Sequence, residues 1–184
     1  MVMPRKAHTD IGESEKPGGM RVYCSASART DNSQGLFPND FWKKVTYKTG
    51  TGKRAENTST HGRIKKGFSQ LNDNDGGGQY DSSGGAGGKG NPQGSVCTGY
   101  KHYVQLVEPN DGRACIRCCQ DYNDCPLDKD TAGVLRSFQE LTEIKPRLAP
   151  RLRDRLGFTR LYGHILGFHE FDNGLCYGRL LNIV

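Results

Sequence analysis

No stretch of this 184-residue chain approaches the roughly 20 consecutive apolar residues that cross a bilayer, so no transmembrane segment is expected. The opening residues, MVMPRKAHTDIGESEKPGG, hold no apolar run of the kind that forms a secretion signal. Apolar residues are scarce at 34%, against 25 glycines and a single tryptophan. One domain of ordinary size built from them has a thin core and calls for covalent support. Catalytic punctuation is also missing. The histidines His8, His61, His102, His164 and His169 are scattered, and none stands in a G-x-S-x-G elbow or an H-E-x-x-H helix.

What the chain does have is cysteine. Four of its seven fall in the eleven residues CIRCCQDYNDC, 115–125, which reads as a disulfide framework of an oxidising compartment. The candidates are Cys24, Cys97, Cys115, Cys118, Cys119 and Cys125, and the odd total leaves one thiol over in a monomer. Nothing local selects among the pairings. Zinc is the competing reading, with Cys115, Cys118, Cys125 and His102 as ligands, but a second paired knuckle is missing. Adjacent Cys118 and Cys119 point to opposite sides of an extended chain, which also disfavours one shared metal. A redox C-x-x-C requires an α/β scaffold that this pattern does not provide. No metal and no cofactor is expected.

The glycine-rich stretch 76–90 and the residues just before it hold three decoys. Gly85, Gly87 and Gly90 satisfy G-x-G-x-x-G, but no strand leads in and Asn91-Pro92 follows where a helix must run. A phosphate loop fails because Ser83 replaces its first glycine and Gly90 its final Ser or Thr. Asp73, Asp75 and Asp81 do not meet the spacing of a calcium loop. The formal charge of +6 raises nucleic acid as a partner. Arg63-Ile64-Lys65-Lys66 is the dense basic cluster outside the tail, and beyond Phe68 it lacks stacking rings, so it reads as a solvated face and no nucleic acid is expected.

Strand signals come from β-branched and aromatic residues. They mark MRVYCSAS at 20–27, FWKKVTYKTGTG at 41–52 and, most clearly, the segment around Tyr103–Val107. In that segment Val104 and Leu106 fall on one face and Tyr103, Gln105 and Val107 on the other. Turns are expected at Pro38-Asn39-Asp40, at the Thr-Gly repeats of 49–52 and at Pro109-Asn110-Asp111-Gly112. Residues 53–67 read as basic and polar, GFSQLND at 67–73 as a short strand at best, and 76–90 as too rich in glycine for a helix. The fold class is mainly β: a small disulfide-stabilised module with long Gly-rich loops whose last turns are clipped by disulfides. Residues 1–17 read as a disordered leader and 18–133 as the module. In the tail, 134–184, Leu135, Phe138, Leu141, Ile144, Leu148, Leu152 and Leu156 recur at helical spacing, interrupted by Pro146 and Pro150.

Asn57-Thr58-Ser59 is an N-glycan acceptor tripeptide in what reads as a polar loop. Trp42, Tyr47, Tyr80, Tyr100 and Tyr103 are candidate sugar-stacking platforms, since a flat ring covers the apolar face of a sugar; the competing reading makes these rings the core. A different class of function, a carbohydrate-active enzyme, needs paired carboxylates, to be drawn from Asp73, Asp75, Asp81 and Glu108.

Taken in order, GGMRVYCS at 18–25, KTGTG at 48–52, DGGGQYDSSGGAGGKGNPQG at 75–94 and the strand and cysteine block of 97–133 resemble the fungal extracellular mannoproteins known as macrophage-activating glycoproteins. The family's block runs approximately C-x3-C-x5-C-x8-C; Cys115, Cys119 and Cys125 keep its intervals, and Val134 stands where the fourth cysteine belongs. Valine codons open with GT, the dinucleotide that begins most introns, so the resemblance implies that 134–184 is intron read-through or an altered frame. It also implies a non-enzymatic, mannosylated protein of the cell surface, wall or medium, with wall polysaccharide or host glycan receptors as partners. Cys24, Cys97, Cys115, Cys119 and Cys125 then have structural roles, with Cys118 an extra. A small secreted effector is a further alternative.

Overall fold

The computed structural model describes residues 1–51, 53–67, 70–125 and 127. The expected tail of 134–184 lies outside them. The protein is mainly β, with eight strands, one short helix and two 3-10 turns among the described residues. Three strands, β1 (Val2–Pro4), β2 (Met20–Cys24) and β3 (Gly35–Leu36), form a small sheet in that order. Five more form the larger sheet: β4 (Trp42–Thr51), β5 (Glu56–Ile64), β6 (Gly78–Asp81), β7 (His102–Glu108) and β8 (Arg113–Cys119), in spatial order β4-β5-β8-β7-β6. Every pairing in it is antiparallel. The helix α1 (Ile11–Ser14) sits beside β1 and β6. No helix among the described residues is long and apolar enough to cross a membrane.

Side chains alternate across a strand, and β7 and β8 show this with both faces buried. On the inner face, which meets the small sheet, Tyr103, Val107, Ala114 and Cys118 pack with Val2, Met3, Val22, Tyr23, Ile11, Trp42 and Ile64. On the outer face, Val104, Leu106, Cys115, Cys119 and Cys125 make a second cluster, against which Leu127 packs. The two-faced reading of 103–107 is therefore correct. One polar side chain joins the two sheets. Gln105 is fully buried; its Oε1 accepts from the Val2 amide at 2.7 Å and its Nε2 donates to the Val2 carbonyl at 2.6 Å. The amide group thus pairs with β1 as a neighbouring backbone would.

The structure revises several expectations. Residues 1–17 are not a disordered leader: Met1–Pro4 and Ile11 are buried, and Val2, Met3 and Pro4 pair with Val22, Arg21 and Met20. Three apolar residues in the first four are enough to give β1 a face to bury. The polar segment 53–67 contains β5, a nine-residue central strand. Its inward positions Thr58 and Thr60 are small and β-branched, which suits a strand without giving a hydrophobic signal. The Gly-rich stretch holds no α-helix but does hold β6, centred on the buried Tyr80. In the segment read as GFSQLND no strand is assigned among the described residues; Leu71 makes an isolated bridge with Thr9. CIRCC forms the last five residues of β8, and the expected turn at 109–112 is the tight link from β7, with Gly112 at φ 60°.

Candidate functional site

The cysteines divide along β8. Cys118 points to the inner face and is bonded to Cys97, 21 residues away; Cys119 points to the outer face and is bonded to Cys125, six residues away. Adjacent thiols could not do this in a turn of arbitrary shape. Extended backbone sends them to opposite sides of the sheet. Both pairs sit at ordinary Cα separations, 6.0 and 5.9 Å. Cys24 is disulfide-bonded as well. Cys115 is not: it is a buried free thiol, and burial pushes it up to about 12. The set of disulfide candidates is corrected at that one position, because Cys115 lies on the outer face beside Leu106 with that cluster's cysteine pair already closed. The zinc set is likewise broken, since Cys118 and Cys125 are consumed in disulfides. His102 instead stacks edge-on against Tyr122, with ring centroids 5.6 Å apart.

The aromatic candidates separate into core and surface. Tyr80 and Tyr103 are fully enclosed, and Trp42 retains 9% exposure. Each tyrosine hydroxyl has a partner: Tyr80 shares a hydrogen bond with Ser14 Oγ at 2.7 Å, and Tyr103 donates to the Asn91 carbonyl at 2.7 Å. Burial raises the pKa of both hydroxyls above the ordinary tyrosine value. These three rings are core and cannot serve as sugar platforms, since a stacked sugar needs an open ring face. Tyr47 and Tyr100 are half-buried. Tyr47 lies opposite Thr60 on the inner-face side of β4, and Tyr100 follows Cys97, whose carbonyl accepts its amide at 2.9 Å. Desolvation and then the neighbouring Tyr47 push the Tyr100 hydroxyl above its ordinary pKa.

Of the candidate carboxylates, Asp73 and Asp75 stand in a loop, while Asp81 ends β6 and Glu108 ends β7. Asp75 accepts from the Ile11 and Gly77 amides, at 2.8 and 3.0 Å. Asp81 accepts from the Ser83 amide at 2.7 Å and from Gln79 Nε2 at 3.0 Å. Asp73 takes the Gly67 amide at 2.7 Å, and Glu108 is ion-paired with Arg113 at 2.6 Å. The glycan acceptor Asn57 does not stand in a loop. It is 1% exposed on β5, opposite Cys119, where a glycan has no room.

No known protein family, curated protein or solved structure matches the chain. The physical reading of the site therefore stands on its own residues. One of these was not among the sequence candidates. Asp124, 4% exposed, accepts four hydrogen bonds from the backbone amides of the β4–β5 turn: Lys53 at 2.9 Å, Arg54 at 3.3 and 3.2 Å, and Ala55 at 2.9 Å. The Cys119–Cys125 bond closes the short loop that carries it. The sequence signal for this clamp was slight: one aspartate directly before a cysteine.

Proposed function

We propose that this chain is a non-enzymatic module of a secreted or cell-surface fungal glycoprotein, associated with wall polysaccharide, as its resemblance to extracellular mannoproteins implies. The observation that carries the reading is the closure of disulfides on both faces of β8, an arrangement suited to an oxidising compartment. The half-buried pair Tyr47 and Tyr100 supplies the surface where a neutral sugar is expected to stack. The two-carboxylate alternative is disfavoured because Asp73, Asp75, Asp81 and Glu108 are already held in loop hydrogen bonds or an ion pair.

Incubating the full-length oxidised protein with chitin and glucan particles tests this. Retention that drops on Tyr100→Ala, with an unchanged melting temperature, supports a wall-associated module. Passage of the protein through both particle types overturns wall binding and favours a secreted effector. Recovery of the native protein with Cys97 and Cys118 as free thiols would remove the extracellular assignment itself.

A further inference from the structure

Charge is unevenly placed in this fold. Between positions 43 and 66 the chain carries eight Lys or Arg and one acidic residue, Glu56, whereas over the rest of residues 1–127 twelve acidic residues outnumber nine Lys or Arg. The positive charge of this region thus belongs to the β4–β5 hairpin and its flank. All eight of those cationic residues are exposed.

Register aligns part of this charge. Lys44 lies opposite Arg63, and Arg63 lies opposite Arg113, so one rung across three strands presents three cations to the outer face. Arg113 is neutralised by Glu108 and Asp111. Arg63 donates to the Asp111 carbonyl at 3.0 Å, and among the described residues neither Lys44 nor Arg63 has an ion pair. Lys48 stands four residues from Lys44 on the same face, about 13 Å along the strand. Its charge is felt nearby, since burial and then Lys48 lower the proton affinity of His61.

Like charges directly opposite one another in a sheet are destabilising, so the fold itself gains nothing from the Lys44–Arg63 pair. Lysines on an edge strand do discourage pairing with other chains. That accounts for Lys43, Lys44 and Lys48 on β4 but not for Arg63, which lies on an interior strand. An anionic polymer laid along the outer face would reward both strands.

We infer that the outer face of the β4–β5 hairpin, centred on Lys44 and Arg63 with Lys48 beside them, binds an acidic polysaccharide, a chain bearing uronate or sulfate groups. This rests on the extracellular glycan reading above and names a ligand class for it. A nucleic acid fits less well. Tyr47 points to the opposite face and Trp42 is buried, so beside its cations the hairpin offers no tyrosine or tryptophan face, and its one outer-face ring, His61, is half-buried.

The test passes the full-length oxidised protein over immobilised polygalacturonate, a neutral β-glucan, chitin and single-stranded oligothymidylate. The expected result is retention on polygalacturonate that weakens steeply with added salt. The double variant Lys44→Gln/Arg63→Gln is expected to bind about tenfold more weakly, while Lys89→Gln/Lys101→Gln, outside the hairpin, binds as before. Melting temperatures report whether each variant is folded, and relief of repulsion predicts no loss for the double variant. Retention that ignores Lys44 and Arg63 overturns the site. Oligothymidylate binding as tight as polygalacturonate, and lost in the same variant, overturns the ligand class. Retention on glucan or chitin without polygalacturonate overturns this inference alone, and passage through every matrix overturns the wall reading with it.

Discussion

Two hairpins lie side by side in the larger sheet and are held by different means. In β7–β8 both faces are mostly apolar or sulfur-bearing, with Val104, Leu106 and Cys115 on one side and Tyr103, Val107 and Ala114 on the other. In β4–β5 the paired residues are mostly Lys, Thr, Ser and Gly. That hairpin has its ladder, a hydrogen bond from Thr58 Oγ1 to the Lys48 carbonyl at 2.9 Å, and a turn held from outside by Asp124. A hairpin rich in burial is stabilised wherever its side chains meet the core. A polar one depends on particular contacts at its end and on its neighbour β8. The lesson is that the same sheet can contain one self-sufficient unit and one dependent unit.

The largest expected effect separates the two staples of β8. Replacing Cys97 and Cys118 together by alanine should cost about 3 kcal/mol, and replacing Cys119 and Cys125 about 2 kcal/mol, because the shorter loop restrains less of the unfolded chain. Urea titrations of both double variants check the order; a reversed order would mean that the small loop matters through Asp124 more than through chain restriction. Next, Asp124→Asn should destabilise by about 2 kcal/mol, the scale of hydrogen bonds to a charged group. Its amide exchange should quicken at Lys53, Arg54 and Ala55 and not in β7. Uniform quickening would erase the distinction between the hairpins.

Gly62 provides a smaller perturbation. A Cβ there would lie 2.1 Å from the Lys44 carbonyl oxygen and 3.0 Å from the Trp42 ring, at the bulge between Trp42 and Lys44. Gly62→Ala should cost about 1 to 2 kcal/mol through that overlap, read as a lowered melting temperature with β7–β8 exchange intact. On the other hairpin, Cys115 sharpens the comparison through pH. Its folded value of about 12 lies above the ordinary 9.0, so the unfolded chain loses this proton first as pH rises. The associated stability is complete below about pH 9 and declines above it. Melting temperatures across about pH 8.5 to 10.5 should therefore fall less in Cys115→Ser than in the parent. Least of all, Lys44→Gln should change stability by no more than about 0.5 kcal/mol, toward stabilisation.

The contrast between the hairpins also explains what could be read in advance. Val104, Leu106, Tyr103 and Val107 alternate visibly because apolar residues fill both faces of β7, and Pro109 to Gly112 spell its turn. The divergence of Cys118 and Cys119 followed from extended geometry alone. Strand β5 was hidden because Thr58, Ser59 and Thr60 are buried by neighbours on β4 and β8, a tertiary circumstance that leaves no apolar alternation behind. β1 was hidden because Val2 and Met3 are followed, up to Met20, by fourteen polar or turn-forming residues broken only by Ala7 and Ile11. Among site residues, Trp42, Tyr80 and Tyr103 could be named as core or platform but not divided between the two, since exposure depends on the loops folded over them. Asp124 and Gln105 were invisible for a similar reason. Their partners are backbone atoms 69 to 71 and 103 positions away.

Neighbouring cysteines in β8 have one more consequence. Sliding a strand by one residue exchanges its two faces, which would carry Cys118 to the side of Cys125 and Cys119 to the side of Cys97. Only one alignment lets both bonds close as they do here. The vicinal pair therefore ties the register of this central strand to its disulfide pattern: a one-residue slip would exchange the partners within reach of Cys118 and Cys119.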